Sequence, residues 1–143
     1  MTTTKTRSLL LLLVIALFAS LVNVHHCAKY DNIKNLQVGI KHRPETCDRK
    51  VKDGDTIKVH YTGKLTNGEE FDSSIPRGEP FSFRVGAGMV IKGWDSGLLG
   101  ACVGEKRKLV IPSHMGYGEF GSPPKIPGGA VLVFDVEVVS IDE

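Results

Sequence analysis

Beyond Lys50, hydrophobic positions recur along this chain with a period of two. In "TIKVHYTG", Ile57, Val59 and Tyr61 fall on one side and Lys58, His60 and Thr62 on the other, the signature of a half-buried strand. "PFSFRVG" alternates Phe81, Phe83 and Val85, and "EKRKLVIP" reads as a further strand. "AVLVFDVEVVSI" puts Leu132, Phe134, Val136 and Val138 on one face. "KLTNGEEF" contains Asn67-Gly68, the pair favoured in two-residue hairpin turns. One segment departs from this period. In "GMVIKGWDSGLLG", Val90, Trp94 and Leu98 stand at i, i+4 and i+8, which is helical spacing. The pattern predicts an α+β domain, a five- to six-stranded antiparallel sheet wrapped around one short α-helix. The sheet's inner face needs an apolar partner, and this helix is the only candidate. Trp94, the sole tryptophan, is therefore expected to point at the concave side of the sheet.

The start of the chain follows another rule. Lys5 and Arg7 precede an apolar run from Leu9 to Ala19 that resumes at Leu21 and Val22. That is a basic region followed by a hydrophobic region of signal-peptide length, shorter than the ~20 residues of a membrane span. The expected organisation is a signal peptide over 1–28, cut between Ser20 and Ala28, then an N-terminal segment over 29–35 and one domain over 36–143. An uncleaved anchor is the alternative. A length of 143 residues suits a single domain. The chain has 18 basic and 16 acidic residues, and loss of Lys5 and Arg7 leaves a net charge of zero. A neutral domain has no electrostatic footprint for nucleic acid or anionic lipid, so neither is expected as a partner once the signal is removed. A small neutral domain is expected to be a monomer. The densest basic cluster, "EKRK" at Glu105–Lys108, would alternate faces on a strand and reads as a solvated rim.

The cysteines number three, Cys27, Cys47 and Cys102. If Cys27 leaves with the signal peptide, Cys47 and Cys102 remain as an even pair in an oxidising compartment, where a disulfide is the usual outcome. Two unpaired buried thiols are the alternative. His42, His60 and His114 are scattered and match no ligand spacing, so no metal and no cofactor is expected.

Between the last two strands, Ser113 to Gly129 form a long Gly/Pro-rich loop containing Met115, Tyr117, Phe120 and Ile126. This loop is too apolar for a linker and is expected to fold over a ligand. Tyr61, Phe71, Phe81, Trp94, Tyr117 and Phe134 then sit where all six would line one cavity, the default binding site of such a domain. The plainer alternative is a core rich in aromatics, and Phe83 reads as only that. Asp72, in "EFDSS", is the one acid beside this apolar set. Its alternative reading is a turn former bonded to the backbone of Ser73 or Ser74. The sequence has no G-x-S-x-G, no paired acids and no phosphate-cradling glycine loop, so covalent chemistry is not expected. A hydrolase using Asp72 and Ser73 is the weakest reading.

"VHYTGKL", "FDSS", "VIKGWDSGLLG", "GEKRKLVIP", "GYG" and "PPKIPGGAVLVFDVE" run in the order seen in the FKBP-type peptidyl-prolyl isomerases, which the chain resembles from about Leu36 to Ile141. It looks closest to their secretory-pathway, endoplasmic-reticulum branch, whose members carry a signal peptide and a cysteine pair placed like Cys47 and Cys102. That branch usually ends in a retrieval tetrapeptide, whereas this chain ends "SIDE", which leaves both lumenal retention and secretion open. The resemblance implies a rotamase acting on proline-containing segments of client proteins and binding macrolide inhibitors, without a covalent intermediate. It implies a prolyl pocket lined by Tyr61, Phe71, Asp72, Phe81, Val90, Ile91, Trp94, Tyr117 and Phe134, with Trp94 as its floor. Tyr61, Asp72, Trp94 and Tyr117 are read as catalytic, and Phe71, Phe81, Val90, Ile91, Ile126 and Phe134 as substrate-binding. Met115 and Ser122 stand where the cytosolic prototype has a tyrosine and a histidine, a difference that bears on peptide preference. The alternative function is a non-catalytic proline-binding module or folding chaperone using the same cleft.

Overall fold

The computed structural model describes Tyr30 and residues 32–142, and residues from Asn32 onward make one compact unit. The expected signal peptide, its cut and Cys27 lie outside the described residues. Six strands follow in order: β1 (Gln37–His42), β2 (Thr56–Leu65), β3 (Glu70–Ser73), β4 (Phe81–Arg84), β5 (Lys106–Ile111) and β6 (Leu132–Asp142). The helix α1 (Lys92–Gly97) lies between β4 and β5. The sheet runs β1-β5-β6-β2-β3 with every pairing antiparallel, and β4 shares with β3 the outer edge of β2. Among the described residues no helix is long and apolar enough to cross a membrane.

Period-two burial is strongest on β2, β5 and β6. Ile57, Val59, Tyr61, Leu109, Ile111, Leu132, Phe134, Val136 and Val138 are all buried on the inner face. A bulge between Lys58 and Val59 leaves Val139 unpaired and exposed. The extra residue restores alternation, so that Ile57 meets Ile141 as Val59 meets Val138.

The two glycines flanking Trp94 have a steric cause. A Cβ on Gly93 would lie 2.5 Å from Ile111 Cγ2, and one on Gly97 would lie 2.9 Å from Leu109 Cδ2. The helix is pressed backbone-first onto β5, which leaves its Trp94 side free for the concave face. At six residues it is shorter than the spacing predicts. Val90 precedes it, half-buried, and Leu98 forms its C-cap.

Three sequence expectations change. The hairpin joining β2 and β3 is a three-residue loop, not a two-residue one. Gly68 N–H donates to Leu65 O (3.0 Å), Leu65 N–H donates to Glu69 O (2.8 Å), and Gly68 takes φ 91°. A left-handed glycine after a tight turn suits this longer loop. The strand β1 was not singled out from the sequence, although Leu36, Val38 and Ile40 alternate with Gln37, Gly39 and Lys41; all six of its residues are exposed on the sheet's edge. The "EKRK" cluster is a solvated rim only at Lys106 and Lys108. Glu105 (1 % exposed) and Arg107 (8 %) are buried, with Arg107 Nε donating to Glu105 Oε1 at 2.7 Å.

Cys47 and Cys102 form a disulfide with Cα atoms 5.5 Å apart, closing a sequence separation of 55. It pins the segment before β2 to the one leaving α1, where Val51 N–H also donates to Ala101 O (2.8 Å). Reducing it is expected to lower the unfolding free energy by about 2–4 kcal/mol, the scale set by loop closure. Urea unfolding with and without reductant measures this, and coincident midpoints would refute it.

Candidate functional site

Four aromatic rings meet on the inner side of the sheet because β2, β4, β6 and α1 each contribute one. Trp94 stands edge-to-face with Tyr61 (centroids 5.0 Å apart, planes at 78°), with Phe134 (5.3 Å, 82°) and with Phe81 (6.2 Å, 72°). Such perpendicular pairs set the positive edge of one ring against the negative face of another. Phe71 from β3 closes the far wall edge-on to Phe134 at 5.4 Å. Gly63 makes room for that pair, since a Cβ there would sit 2.6 Å from Phe134 and 2.7 Å from Phe71. Phe83 is fully buried behind the group and belongs to the core.

These rings do not close on themselves. They bound a cavity of about 550 Å³, within the range of small-molecule sites. Trp94, only 4 % exposed, forms part of its lining, and its indole N–H has no hydrogen-bond partner among the described residues. Every residue expected at the site from the sequence lines this cavity: Tyr61, Phe71, Asp72, Phe81, Val90, Ile91, Trp94, Tyr117, Ile126 and Phe134. The loop from Ser113 to Gly129 reaches over it, as its apolar content led us to expect, through Tyr117 and the run from Ser122 to Ile126. The Ser122 and Ile126 backbones pair reciprocally at 2.8 and 3.0 Å to hold that run in place. Before α1, Gly86 N–H (2.9 Å) and Gly88 N–H (3.3 Å) donate to Asp95. This fastens the turn that delivers Met89, Val90 and Ile91.

One polar network borders the apolar cavity. Tyr61 Oη donates to Asp72 Oδ2 at 2.5 Å, while Arg77 donates to Asp72 Oδ1 (3.1 Å) and to Tyr61 Oη (3.2 Å). Burial alone would raise the Asp72 carboxyl, but the Tyr61 hydroxyl and the Arg77 guanidinium hold it below its ordinary value. Burial pushes the Tyr61 phenol up, and its bond to Asp72 adds to the shift. The Tyr117 phenol is raised by burial and then by the charge of Asp72. Its hydroxyl is held by no hydrogen bond among the described residues. Asp72 lies within β3, with its oxygens committed to Tyr61 and Arg77 and only a minor contribution from the Ser73 N–H. The serines offer no nucleophile. Ser73 Oγ donates to Tyr61 O (3.0 Å), and Ser74, which approaches His60 Nδ1 at 3.0 Å, is fully buried.

Arg77, Met89, Pro123, Pro124 and Lys125 were not singled out from the sequence. Arg77 comes from the excursion between β3 and β4, a stretch without periodicity. Its only sequence cue is being the nearest cation to Asp72.

Comparison with known proteins gives consistent results. The profile of the FKBP-type peptidyl-prolyl cis-trans isomerases matches residues 47–139. The chain is 59 % identical over 128 residues to peptidyl-prolyl cis-trans isomerase FKBP15-2 of Arabidopsis thaliana, covering 89 % of this chain and 78 % of that one. It is 62 % identical over 109 residues to peptidyl-prolyl cis-trans isomerase FKBP2 of Homo sapiens, covering 76 % and 77 % respectively. Its fold is similar to the crystal structure of AtFKBP13, with a TM-score of 0.68 and 39 % identity, over 76 % of this chain and 94 % of that one.

Proposed function

The chain belongs to the FKBP-type peptidyl-prolyl cis-trans isomerases, and from that premise we propose that it speeds the folding of secretory-pathway clients by seating proline on Trp94. It is an isomerase of X–Pro bonds. The observation that carries the reading is the open cavity of about 550 Å³ bounded by Trp94, Tyr61, Phe81 and Phe134.

Uncatalysed rotation about an X–Pro bond takes tens to hundreds of seconds, against a barrier of ~18–20 kcal/mol set by amide resonance. No bond is made or broken; the C–N bond only turns. A twisted amide has lost resonance, so its carbonyl is less dipolar than in the planar form. A water-poor aromatic wall therefore destabilises the planar amide more than the twisted one, which is differential binding. A hundred-thousandfold acceleration needs roughly 7 kcal/mol, at about 1.4 kcal/mol for each factor of ten.

In this reading the pyrrolidine ring lies on Trp94 between Tyr61, Phe81 and Phe134, with Phe71, Val90 and Ile126 completing the apolar wall. The Ile91 N–H, which finds no acceptor among the described residues, binds one substrate carbonyl. The Tyr117 hydroxyl binds another, and its raised pKa keeps it a donor at neutral pH. Asp72 stays ionised and orients the Tyr61 hydroxyl, without acting as nucleophile or proton shuttle. Macrolide inhibitors occupy the same cavity. The basic-then-apolar start of the chain and the disulfide support a location in the secretory pathway, in the lumen of the endoplasmic reticulum. The proposed boundaries remain a signal peptide over 1–28 and an isomerase domain over 36–143, acting as a monomer.

The test is an isomerisation assay on an X–Pro tetrapeptide, with macrolide titration as the site control. Saturable peptide binding without acceleration would favour the non-catalytic module. Asp72→Val is expected to lower kcat/KM by about tenfold with little loss of fold. Unfolding of that variant would favour a structural role for Asp72. The Asp72 carboxyl titrates below its ordinary 3.8, so the network is intact above that value and is lost as the pH falls through the lower folded value. Activity should therefore be flat from about pH 5 to 8. A limb centred near neutrality would show that another group titrates.

A further inference from the structure

Phe120, at the tip of the loop over the cavity, is 92 % exposed. A lone exposed apolar side chain is ordinary, but this one is an aromatic ring held out by fixed backbone. Gly121 N–H donates to Tyr117 O (3.1 Å), and Gly129 N–H donates to Gly118 O (2.9 Å), so the loop is braced on both sides of Phe120. Phe120 does not line the cavity, yet Tyr117, three residues before it, and Ser122, two residues after it, both do. Met89, which also lines the cavity, is 64 % exposed.

We propose that Phe120 is a docking point for an apolar side chain of a non-native client polypeptide, two or three residues away from the proline held in the cavity. The inference rests on the isomerase reading above. Its support is continuity with the cavity: a client seated there must leave across one rim, and each residue of extended chain spans about 3.3–3.6 Å. A client residue two or three positions from the proline is thus placed to run past the loop that carries Phe120 between the cavity-lining Tyr117 and Ser122. The domain from residue 29 onward carries no net charge, so no long-range field draws an unfolded chain, and the contact that Phe120 offers is apolar. The braced backbone of the loop loses little freedom on binding.

Phe120→Ser separates this role from catalysis. The measurements are kcat/KM for an X–Pro tetrapeptide with glycine two residues from its proline, which offers Phe120 no side chain, and for a protein whose refolding is limited by proline isomerisation. The variant should match the wild type within about twofold on the tetrapeptide and lose about five- to tenfold on the protein, mainly through KM. Equal activity on the protein would overturn the proposal, and so would parallel losses on both substrates, which would assign Phe120 to the active site. A wild type inactive on the tetrapeptide would instead sink the isomerase reading and this one with it. Sedimentation over a concentration series provides the last check. Self-association abolished by Phe120→Ser would mean that a second copy of the chain, not a client, covers the ring.

Discussion

Replacing Trp94 with leucine is expected to lower kcat/KM for X–Pro isomerisation by about tenfold to a hundredfold while the domain stays folded. The indole stands edge-on to three walls of the cavity, Tyr61, Phe81 and Phe134. Leucine fills part of its volume but offers no flat surface on which a pyrrolidine ring can lie. Because the indole N–H has no partner among the described residues, the substitution removes no hydrogen bond within them. Trp94→Ala is the harsher variant. Truncating a buried tryptophan costs about 3–5 kcal/mol, a large share of the 5–15 kcal/mol that typically holds a domain together. Urea midpoints for both variants, measured beside the tetrapeptide assay, separate lost structure from lost catalysis. Wild-type turnover in a folded Trp94→Leu protein would refute the floor role.

How much of this was legible beforehand depended on whether burial left a mark in the order of residues. On β2 and the middle of β6 one face is core and the other more open, so the strands announce themselves through Ile57-Val59-Tyr61 and Leu132-Phe134-Val136. The edge strand β1 carries the same alternation in Leu36-Val38-Ile40, but its residues are exposed, so the period there reports a strand without reporting burial. The cavity-lining residues were legible because their aromatic side chains stand at inward positions of those same elements. Arg77 was not, since it acts from an aperiodic excursion and its partners are fixed only once β3 folds against β2. The glycines around Trp94 looked like poor helix design until Ile111 and Leu109 were seen to fill the space their side chains would need. Glu105 and Arg107 misled for the opposite reason. They share the inner parity of Leu109 and Ile111, but their charge argued for solvent, and only the fold reveals that each meets the other.

That buried pair carries the largest expected effect on stability. Arg107 donates through Nε to Glu105 Oε1 (2.7 Å) and through one terminal nitrogen to the carbonyls of Gly97 (2.8 Å) and Leu99 (2.9 Å), at the end of α1. Glu105 Oε2 in turn accepts from Cys102 N–H at 3.2 Å. The two side chains thus tie β5, the last turn of the helix and the disulfide-bearing segment together. Arg107→Met leaves a carboxylate that is 1 % exposed without its close counter-charge, since the other cation nearby, Arg43, stands 4.0 Å away and is itself exposed. Removing one partner of a buried pair typically costs about 3–5 kcal/mol, which should lower Tm by more than about 10 °C in a domain of this size. Glu105→Leu combined with Arg107→Met should cost less than the sum of the single changes, because no charge remains buried. It should not recover fully, since the helix-end carbonyls and the Cys102 N–H lose their partners. Neither residue lines the catalytic cavity, so kcat/KM measured well below Tm should stay within about threefold of wild type. A Tm shift under about 3 °C for Arg107→Met would mean that water or a rearranged Arg43 satisfies Glu105, and that the pair does not anchor the helix beneath the site.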